Sequence, residues 1–395
     1  MNSIPTGWTK NRMKYCVALN PSYSKNLNDS DSISFIPMEC LTNGSICPKT
    51  DVVGRVKTGY TFFADGDIIM AKVTPCFENG NIAIVHNLLN GVGFGTSELY
   101  VFRSKTIDTV YLFYYLQNDQ FKQLCIGTMY GTGGLKRVSL DFIRNYTFYV
   151  PPFAKQQQIA SFLDTKSSLI DSTIEKEREV IDKLKEYRQA VITEAVTKGI
   201  RPGVPMKESG VEWIGEIPAG WDVCRLKYLA WLQRGYDLTS DEFVEGPYPV
   251  YGSNGIIGYH NKFMATAPGI TIGRSGSVGE VQYITQNFWP HNTSIYVKYF
   301  EKSIPNYIYY LLLTLDLKGV SSGSVVGSLD RKKIHDINVP KIQEKEQQDI
   351  ADYLDAKCSA IDATIQKREL AIEKLTAYKQ SLIYECVTGK REVFG

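Results

Sequence analysis

The chain lacks the residue patterns that hold metals. Its eight cysteines include no C-x-x-C pair and its four histidines are scattered singly, which argues against a zinc site. It also lacks a charge excess. Lys and Arg number 44 against 42 Asp and Glu, a net charge of +2, so no global field advertises a nucleic-acid or membrane partner, and any basic surface must be local. No window approaches about eighteen uninterrupted apolar residues. The opening, Met1 to Cys16, carries no apolar signal core, so the expectation is a reduced, cytoplasmic, soluble protein without a membrane partner. Catalytic signatures are missing as well: there is no Walker loop, no convincing Ser/His/Asp order and no carboxylate pair that outranks a solvated helix face. Gly93-Phe94-Gly95 lacks the third glycine and the following helix of a cofactor fingerprint. These absences point away from an enzyme and away from any cofactor.

What is present is length and repetition. At 395 residues the chain is too long for one ordinary core and implies two or three domains. Between Gln156 and Thr197, apolar residues fall at Ile159, Leu163, Ile170, Ile174, Ile181, Leu184, Val191 and Ala195. Steps of three, four and seven place them on one narrow helical seam, the pattern of a coiled-coil partner. The stretch returns at the C-terminus with Ile350, Leu354, Ile361, Ile365, Ile372, Leu375, Leu382 and Cys386, and roughly half of the aligned positions are identical. One seam requires a partner seam, and the chain carries two. The expectation is antiparallel pairing, with Ile170, Ile181 and Leu184 against Ile361, Ile372 and Leu375. Glu177 and Arg188 interrupt one seam and Arg368 and Lys379 the other, which would place Glu177 near Lys379. If fully buried, Leu184 cut to Ala should cost a few kcal/mol.

The segments before the two helices also begin alike. Ile4-Pro5-Thr6-Gly7-Trp8, followed by Arg12, Lys14 and Tyr15, is answered by Ile217-Pro218-Ala219-Gly220-Trp221, Arg225, Lys227 and Tyr228. Phe113 to Leu116 answers Ile308 to Leu311, and Ser139-Leu140-Asp141 through Val150-Pro151 aligns without a gap to Ser328-Leu329-Asp330 through Val339-Pro340. The middles diverge, and the second is the shorter. Runs at Asp67–Ala71, Ile82–Val85, Ile270–Ile272 and Val281–Tyr283 read as strands. Gly131-Thr132-Gly133-Gly134 and Ser321-Ser322-Gly323-Ser324 read as loops before a capped short helix. Gly199, Pro202 and Gly203 stop the first long helix, and Pro202 to Glu216 reads as a linker. The expected organisation is α+β, with a globular domain over 1–152, a long helix over 153–199, a linker and second globular domain over 200–340, and a second long helix over 341–395.

Binding chemistry gathers on loops leaving strand ends. Lys72, Thr74, Asn79 and Asn81 follow one strand, with Tyr130, Lys136 and Arg137 beside the glycine loop. Arg274 and Ser275 follow the matching strand, with Arg331 and Lys332 after the second loop and Tyr251, Asn254, His291 and Asn292 completing the set. Arg suits guanine, Asn suits adenine, and Lys and hydroxyls suit phosphate. Each has a plainer reading: Asn79-Gly80 as a turn, a lone Lys or Arg as a solvated group, His291 and Asn292 as caps. Val150-Pro151-Pro152-Phe153 is similar to the Asn-Pro-Pro-Phe of amino-methyltransferases, but valine cannot accept hydrogen bonds from a target amine. A strand-to-helix turn is the better reading.

The chain resembles the DNA-specificity subunits of type I restriction-modification systems. The resemblance rests on the run Phe62 to Gly80 with its Lys72-Val73-Thr74-Pro75, on Pro151-Pro152 with Gln156-Gln157-Gln158-Ile159-Ala160, on Leu163-Asp164, and on Val204-Pro205-Met206-Lys207 running to Trp213-Ile214-Gly215-Glu216-Ile217-Pro218. The second half departs at Gly273-Arg274-Ser275-Gly276, as expected where two half-sites differ. The resemblance implies two target-recognition domains of sheet plus short helices, separated by two long antiparallel coiled-coil helices in an internal pseudo-twofold repeat. It implies double-stranded DNA as ligand, each domain reading half of a split site. It also implies methyltransferase subunits, usually two, carried on the helices, and a restriction subunit that can join. A helix of about forty residues is about 60 Å long, which suits half-sites about one DNA turn, roughly 34 Å, or somewhat more apart. Two competing readings are a coiled-coil adaptor without nucleic acid and the specificity part of a self-contained methyltransferase. The adaptor has no need of two diverged heads with basic loops at matching places, and the methyltransferase needs motifs that are absent.

Overall fold

The computed structural model describes residues 5–23, 27–132, 134–320 and 328–393. Ile4, Gly133 and the Ser321-Ser322-Gly323-Ser324 loop lie outside them. The fold is α+β in two compact units, Met1–Lys176 with Leu370–Gly395, and Glu177–Glu369. Each unit holds one globular head and a segment of both long helices, Phe153–Lys198 and Glu344–Val387. No described helix is long and apolar enough to cross a membrane.

The two heads share one strand plan. In the first, a four-stranded antiparallel sheet runs in the order Val17–Leu19, Leu99–Ser104, Ile68–Ala71, Ile82–Ile84. In the second the order is Trp231–Arg234, Ser294–Tyr299, Gly269–Gly273, Val281–Ile284, again antiparallel. A second sheet pairs Ser32–Ile36 in parallel with Val92–Gly95, as Tyr248–Gly252 pairs with Trp289–Pro290. The first head adds Thr61–Ala64 to that sheet, and the second has no described counterpart. Gly93 belongs to packing rather than to a cofactor loop, since a Cβ there would lie 2.2 Å from Phe63 Cε2.

Each head is fastened to the helices at matching points. Asp108, which caps helix Thr109–Gln117, donates its N–H to Gln156 Oε1 at 2.7 Å, and Ile304, which precedes helix Pro305–Leu313, donates to Gln347 Oε1 at 2.8 Å. Tyr114 Oη donates to Asp164 at 2.8 Å and Tyr310 Oη to Asp355 at 2.7 Å, so Tyr114 answers Tyr310, and the expected match of Phe113 to Leu116 with Ile308 to Leu311 is one position out of frame. Gly199 and Gly389, at φ +75° and +73°, end the long helices against Trp221 and Trp8, where a Cβ would lie 3.2 Å and 3.0 Å from the indoles.

Within each unit the helix segments run antiparallel. In the first, Lys379 Nζ donates to Asp171 at 2.7 Å, and Ile170 and Ile174 share a core with Leu382. In the second, Arg368 donates to Glu177 at 2.6 Å, Arg188 Nε lies 2.9 Å from Asp362, and Ile192, Ala195 and Val196 share a core with Ile350, Leu354 and Cys358. The expected Glu177–Lys379 proximity is therefore wrong. The register that closes the seam brings Lys379 level with Asp171, six residues or about 1.7 turns before Glu177. Of the seam residues, Leu163, Ile170, Ile174, Ile181, Leu354, Ile361, Ile365 and Leu382 are buried, while Leu184, Val191, Ile372 and Leu375 are only half-buried.

Three more expectations need correction. The stretch 202–216 is no free linker: Met206–Glu208 pairs antiparallel with Glu216–Pro218, and Ile214 and Ile217 enter the second core. The cysteines are not all reduced. Cys40 and Cys47 form a disulfide across seven positions, drawn together by the turn in which Cys47 N–H donates to Cys40 O at 3.0 Å. The Ser-Leu-Asp alignment is shifted by two, because Ser139 accepts from Phe142 N–H as the cap of Leu140–Asn145, and its counterpart is Asp330, which caps Arg331–His335. Thr9 facing Val150 and Asp222 facing Lys341 fix the same frame.

Leu354 is fully buried, so Leu354→Ala should cost about 2–5 kcal/mol, whereas half-buried Leu184→Ala should cost clearly less, under about 2 kcal/mol. Denaturant unfolding of the full chain measures both; equal losses would contradict the packing described.

Candidate nucleic-acid interface

In the first head the strand Ile68–Ala71 delivers Lys72 to a loop built as a tight turn. Phe77 N–H donates to Val73 O, Asn79 N–H to Pro75 O and Gly80 N–H to Phe77 O, with Gly80 at φ +76°. Asn79 is exposed on this turn, and Asn81 closes it through its backbone, donating to Cys76 O. Thr74 clasps the turn to the neighbouring loop: its hydroxyl donates to Gly134 O at 2.8 Å and accepts from Lys136 N–H at 3.0 Å. Tyr130 and Arg137 pair back-to-back in that second loop, leaving the Lys136 side chain and a Tyr130 ring that is 62% exposed on the surface.

Two of the expected cations are already engaged. Arg137 donates twice to Glu98, at 2.8 and 2.7 Å, and this fork holds the Glu98 carboxyl below its ordinary range while raising the guanidinium further. Lys72 Nζ donates to Ser97 O at 2.7 Å and lies 5.3 Å from the Tyr100 ring centre. Burial lowers the Lys72 pKa, with Glu98 opposing and Arg137 adding to the shift. Lys72, Thr74 and Arg137 thus shape the loop pair, and Asn79, Tyr130 and Lys136 are its outward groups.

In the second head the strand Gly269–Gly273 ends where a Cβ on Gly273 would lie 1.9 Å from Ser277 O, so only glycine lets the chain fold back there. Arg274 follows, with Nη1 donating to Asn292 O at 3.3 Å, and Ser275 bridges to Ser328. His291 is held at both ring nitrogens, by Thr293 Oγ1 at 2.9 Å and Leu238 O at 3.2 Å, and Asn292 donates to Asp237. These two residues act as loop braces, the plainer of their two sequence readings. Tyr251 is half-buried edge-on to Phe288, with burial raising its hydroxyl pKa, while Asn254 stands exposed at the tip of the hairpin formed by Tyr248–Gly252 and Gly255–His260. Arg331 and exposed Lys332 open the short helix.

Sequence reasoning missed Glu98, Arg234, Asp237 and Lys333. Arg234 donates to Asp237 at 3.1 Å, and Arg234 and Lys333 line one groove with Arg274 and Arg331. Lys333 was legible as part of an Arg-Lys-Lys run. Nothing local signals that Glu98 faces Arg137 or that Asp237 faces Asn292, since both contacts join distant segments.

Two similar heads, each presenting polar and cationic loops beside a sheet, define a two-headed binding protein. The chain belongs to the type I restriction-modification DNA specificity family: the model for the type I restriction modification DNA specificity domain matches residues 18–186 and 218–374. Over 195 residues it is 34% identical to the type I restriction enzyme EcoEI specificity subunit and 35% identical to the EcoAI specificity subunit, both of Escherichia coli. Each alignment covers 48% of this chain and only 32% of the relative. Among solved structures, a chain from work on complex assembly and conformational transition of the type I R-M system superposes with a TM-score of 0.78 at 17% identity, covering 99% of this chain and 100% of that one. The HsdS subunit from Thermoanaerobacter tengcongensis gives 0.53 at 16% identity over 98% of each chain. At those identities the likeness is one of fold.

His335, on the helix that carries Arg331, accepts from Leu232 N–H at 2.8 Å and lies 4.7 Å from the Trp231 ring. Burial first, then Arg331 and Lys227, lowers its pKa, against Asp336. The unfolded chain binds this proton at an ordinary value of about 6.5. The stability from neutral His335 is therefore complete above that value and is lost as pH falls toward the lower folded one. Thermal unfolding should show Tm dropping as pH is lowered from about 7 to 5, and His335→Gln, which keeps an acceptor, should flatten that drop. A variant with the wild-type pH profile would remove His335 as its cause.

Proposed function

We propose that the chain is the DNA-recognition subunit of a type I restriction-modification enzyme, each head reading one half of a split site in double-stranded DNA. The observation that carries this reading is one strand plan used twice with different polar groups on its loops. The first head offers Asn79, Tyr130 and Lys136 outward, and the second offers Asn254, Arg274, Arg331 and Lys332. Equal scaffolds suit a common way of approaching a duplex; unequal loops suit unequal half-sites, so the target is not a palindrome. In this reading Lys72, Thr74, Arg137, Tyr251, His291 and Asn292 position the contacting groups, with Asn81 and Ser275 closing the loops. The long helices set the distance between half-sites and carry two methyltransferase subunits, a restriction subunit joins them, and the assembly works in the cytoplasm. The chain itself transfers no methyl group and cuts no DNA.

Deleting one heptad from each long helix keeps the seams in phase and shortens each by about 10 Å. The recognised site should keep its two halves and lose about three base pairs of gap at roughly 3.4 Å each. Mapping adenine methylation in cells that express the shortened chain with its partner subunits reads this directly; an unchanged gap would show that the helices do not set the spacing.

A further inference from the structure

The heads differ in charge at a place where their backbones agree. Val138 N–H donates to Lys72 O at 2.9 Å, as Leu329 N–H donates to Arg274 O at 2.9 Å, so Lys72 and Arg274 are counterparts. In the same frame the capped helix Leu140–Asn145 matches Arg331–His335, with Ile143 and Ile334 fully buried in each. The first turn of that helix is Leu140, Asp141, Phe142 in the first head and Arg331, Lys332, Lys333 in the second. One surface is apolar and acidic, and its counterpart carries three cations.

Those cations outnumber the carboxylates around them. Among the described residues Arg331, Lys332 and Lys333 enter no ion pair, and Asp330, the adjacent carboxylate, caps Lys332 N–H. Cations in the first turn of a helix oppose its dipole, so local folding does not account for them. Arg331 and Lys333 line, with Arg234 and Arg274, a groove of about 310 Å³ whose other polar walls are Ser328 and Asp330. In the first head the places of Arg274 and Ser328 are taken by Lys72 and Arg137, but Lys72 donates to Ser97 O and Arg137 is forked onto Glu98, and the groove of about 530 Å³ beside the matching helix has no cation in its lining. Arginine forks and lysine point charges are the groups that hold phosphate oxygens.

We propose that the second head's groove is a phosphate clamp that grips the duplex backbone, and that the first head, whose matching Lys72 and Arg137 are already engaged by Ser97 O and Glu98, contributes less to the salt-dependent part of DNA binding. This rests on the DNA-recognition reading above. The clamp positions the protein on any sequence, so the first half-site depends more on base contacts and the second more on backbone grip.

The test compares the full chain with Arg331→Gln/Lys332→Gln/Lys333→Gln and with a control of equal charge change on exposed positions of the first head, Lys10→Gln/Lys49→Gln/Arg55→Gln. Binding to a short mixed-sequence duplex is measured between about 50 and 200 mM salt, where each phosphate contact contributes about 0.9 to the slope of log K against log salt. The clamp variant should lose about two to three from that slope, weakening all sequences alike; the control should lose less than about one, and Arg331→Lys should keep the wild-type slope. Equal losses in clamp and control variants, or an undiminished slope in the clamp variant, would overturn the clamp and leave DNA recognition standing. A wild-type chain that binds no duplex at low salt would overturn the recognition reading and the clamp with it.

Discussion

A buried carboxamide fastens each head to a long helix, and the placement of the loops depends on it. Gln156 and Gln347 are each 2% exposed and each is satisfied at both ends. The oxygen accepts from Asp108 or Ile304 N–H, just before the helix that follows the four-stranded sheet, while the nitrogen donates to the residue just past the head's last strand, Pro151 O or Ile342 O. An unpaired buried amide costs about 1–3 kcal/mol, so a head that shifted along the helix would lose both bonds together. The tyrosine–aspartate bonds two turns further along the helix, and the tryptophans against Gly199 and Gly389, add fixed points on either side. Loop variation can then proceed without moving the frame that presents it.

That division of labour explains which residues the halves share. Fastening residues recur: Gln156 with Gln347, Asp164 with Asp355, Tyr114 with Tyr310, Trp8 with Trp221. Loop residues do not. The first head braces its loops with the Arg137–Glu98 fork and the Thr74 clasp, and the second with His291 and the Asn292–Asp237 bond. Different braces on one scaffold yield different polar surfaces, as the proposed recognition of two unlike half-sites requires.

The long helices, their seam and the repeat were legible in the sequence because each depends on local periodicity or on residue identity at fixed spacing. The strands at Ile68–Ala71 and Gly269–Gly273 were legible as short apolar runs. The helix register was not: seam positions allow several antiparallel slides, and only three-dimensional closure selects Asp171 for Lys379. The Ser-Leu-Asp motif misled because identical letters stood two positions out of frame, while the true counterparts, Ser139 and Asp330, share a capping role and not an identity. At the candidate interface, residue types pointed to loops that the structure brings side by side, but which cations are already engaged is decided by distant partners such as Glu98, which no local pattern reveals.

The central claim is that the heads are interchangeable units on a repeated fastening, each reading its own half-site. A chain in which residues 222–341, bounded by the paired strands Asp222–Arg225 and Asn338–Lys341, are replaced by a copy of residues 9–150 tests it most directly. Selection of bound duplexes from a random pool, with the partner subunits present, is the measurement. The account predicts a folded protein that selects two copies of the first half-site in inverted orientation. A folded hybrid that still selects the original unlike halves, or one in which the transplanted head fails to seat on Gln347 and Trp221 and unfolds, would contradict it.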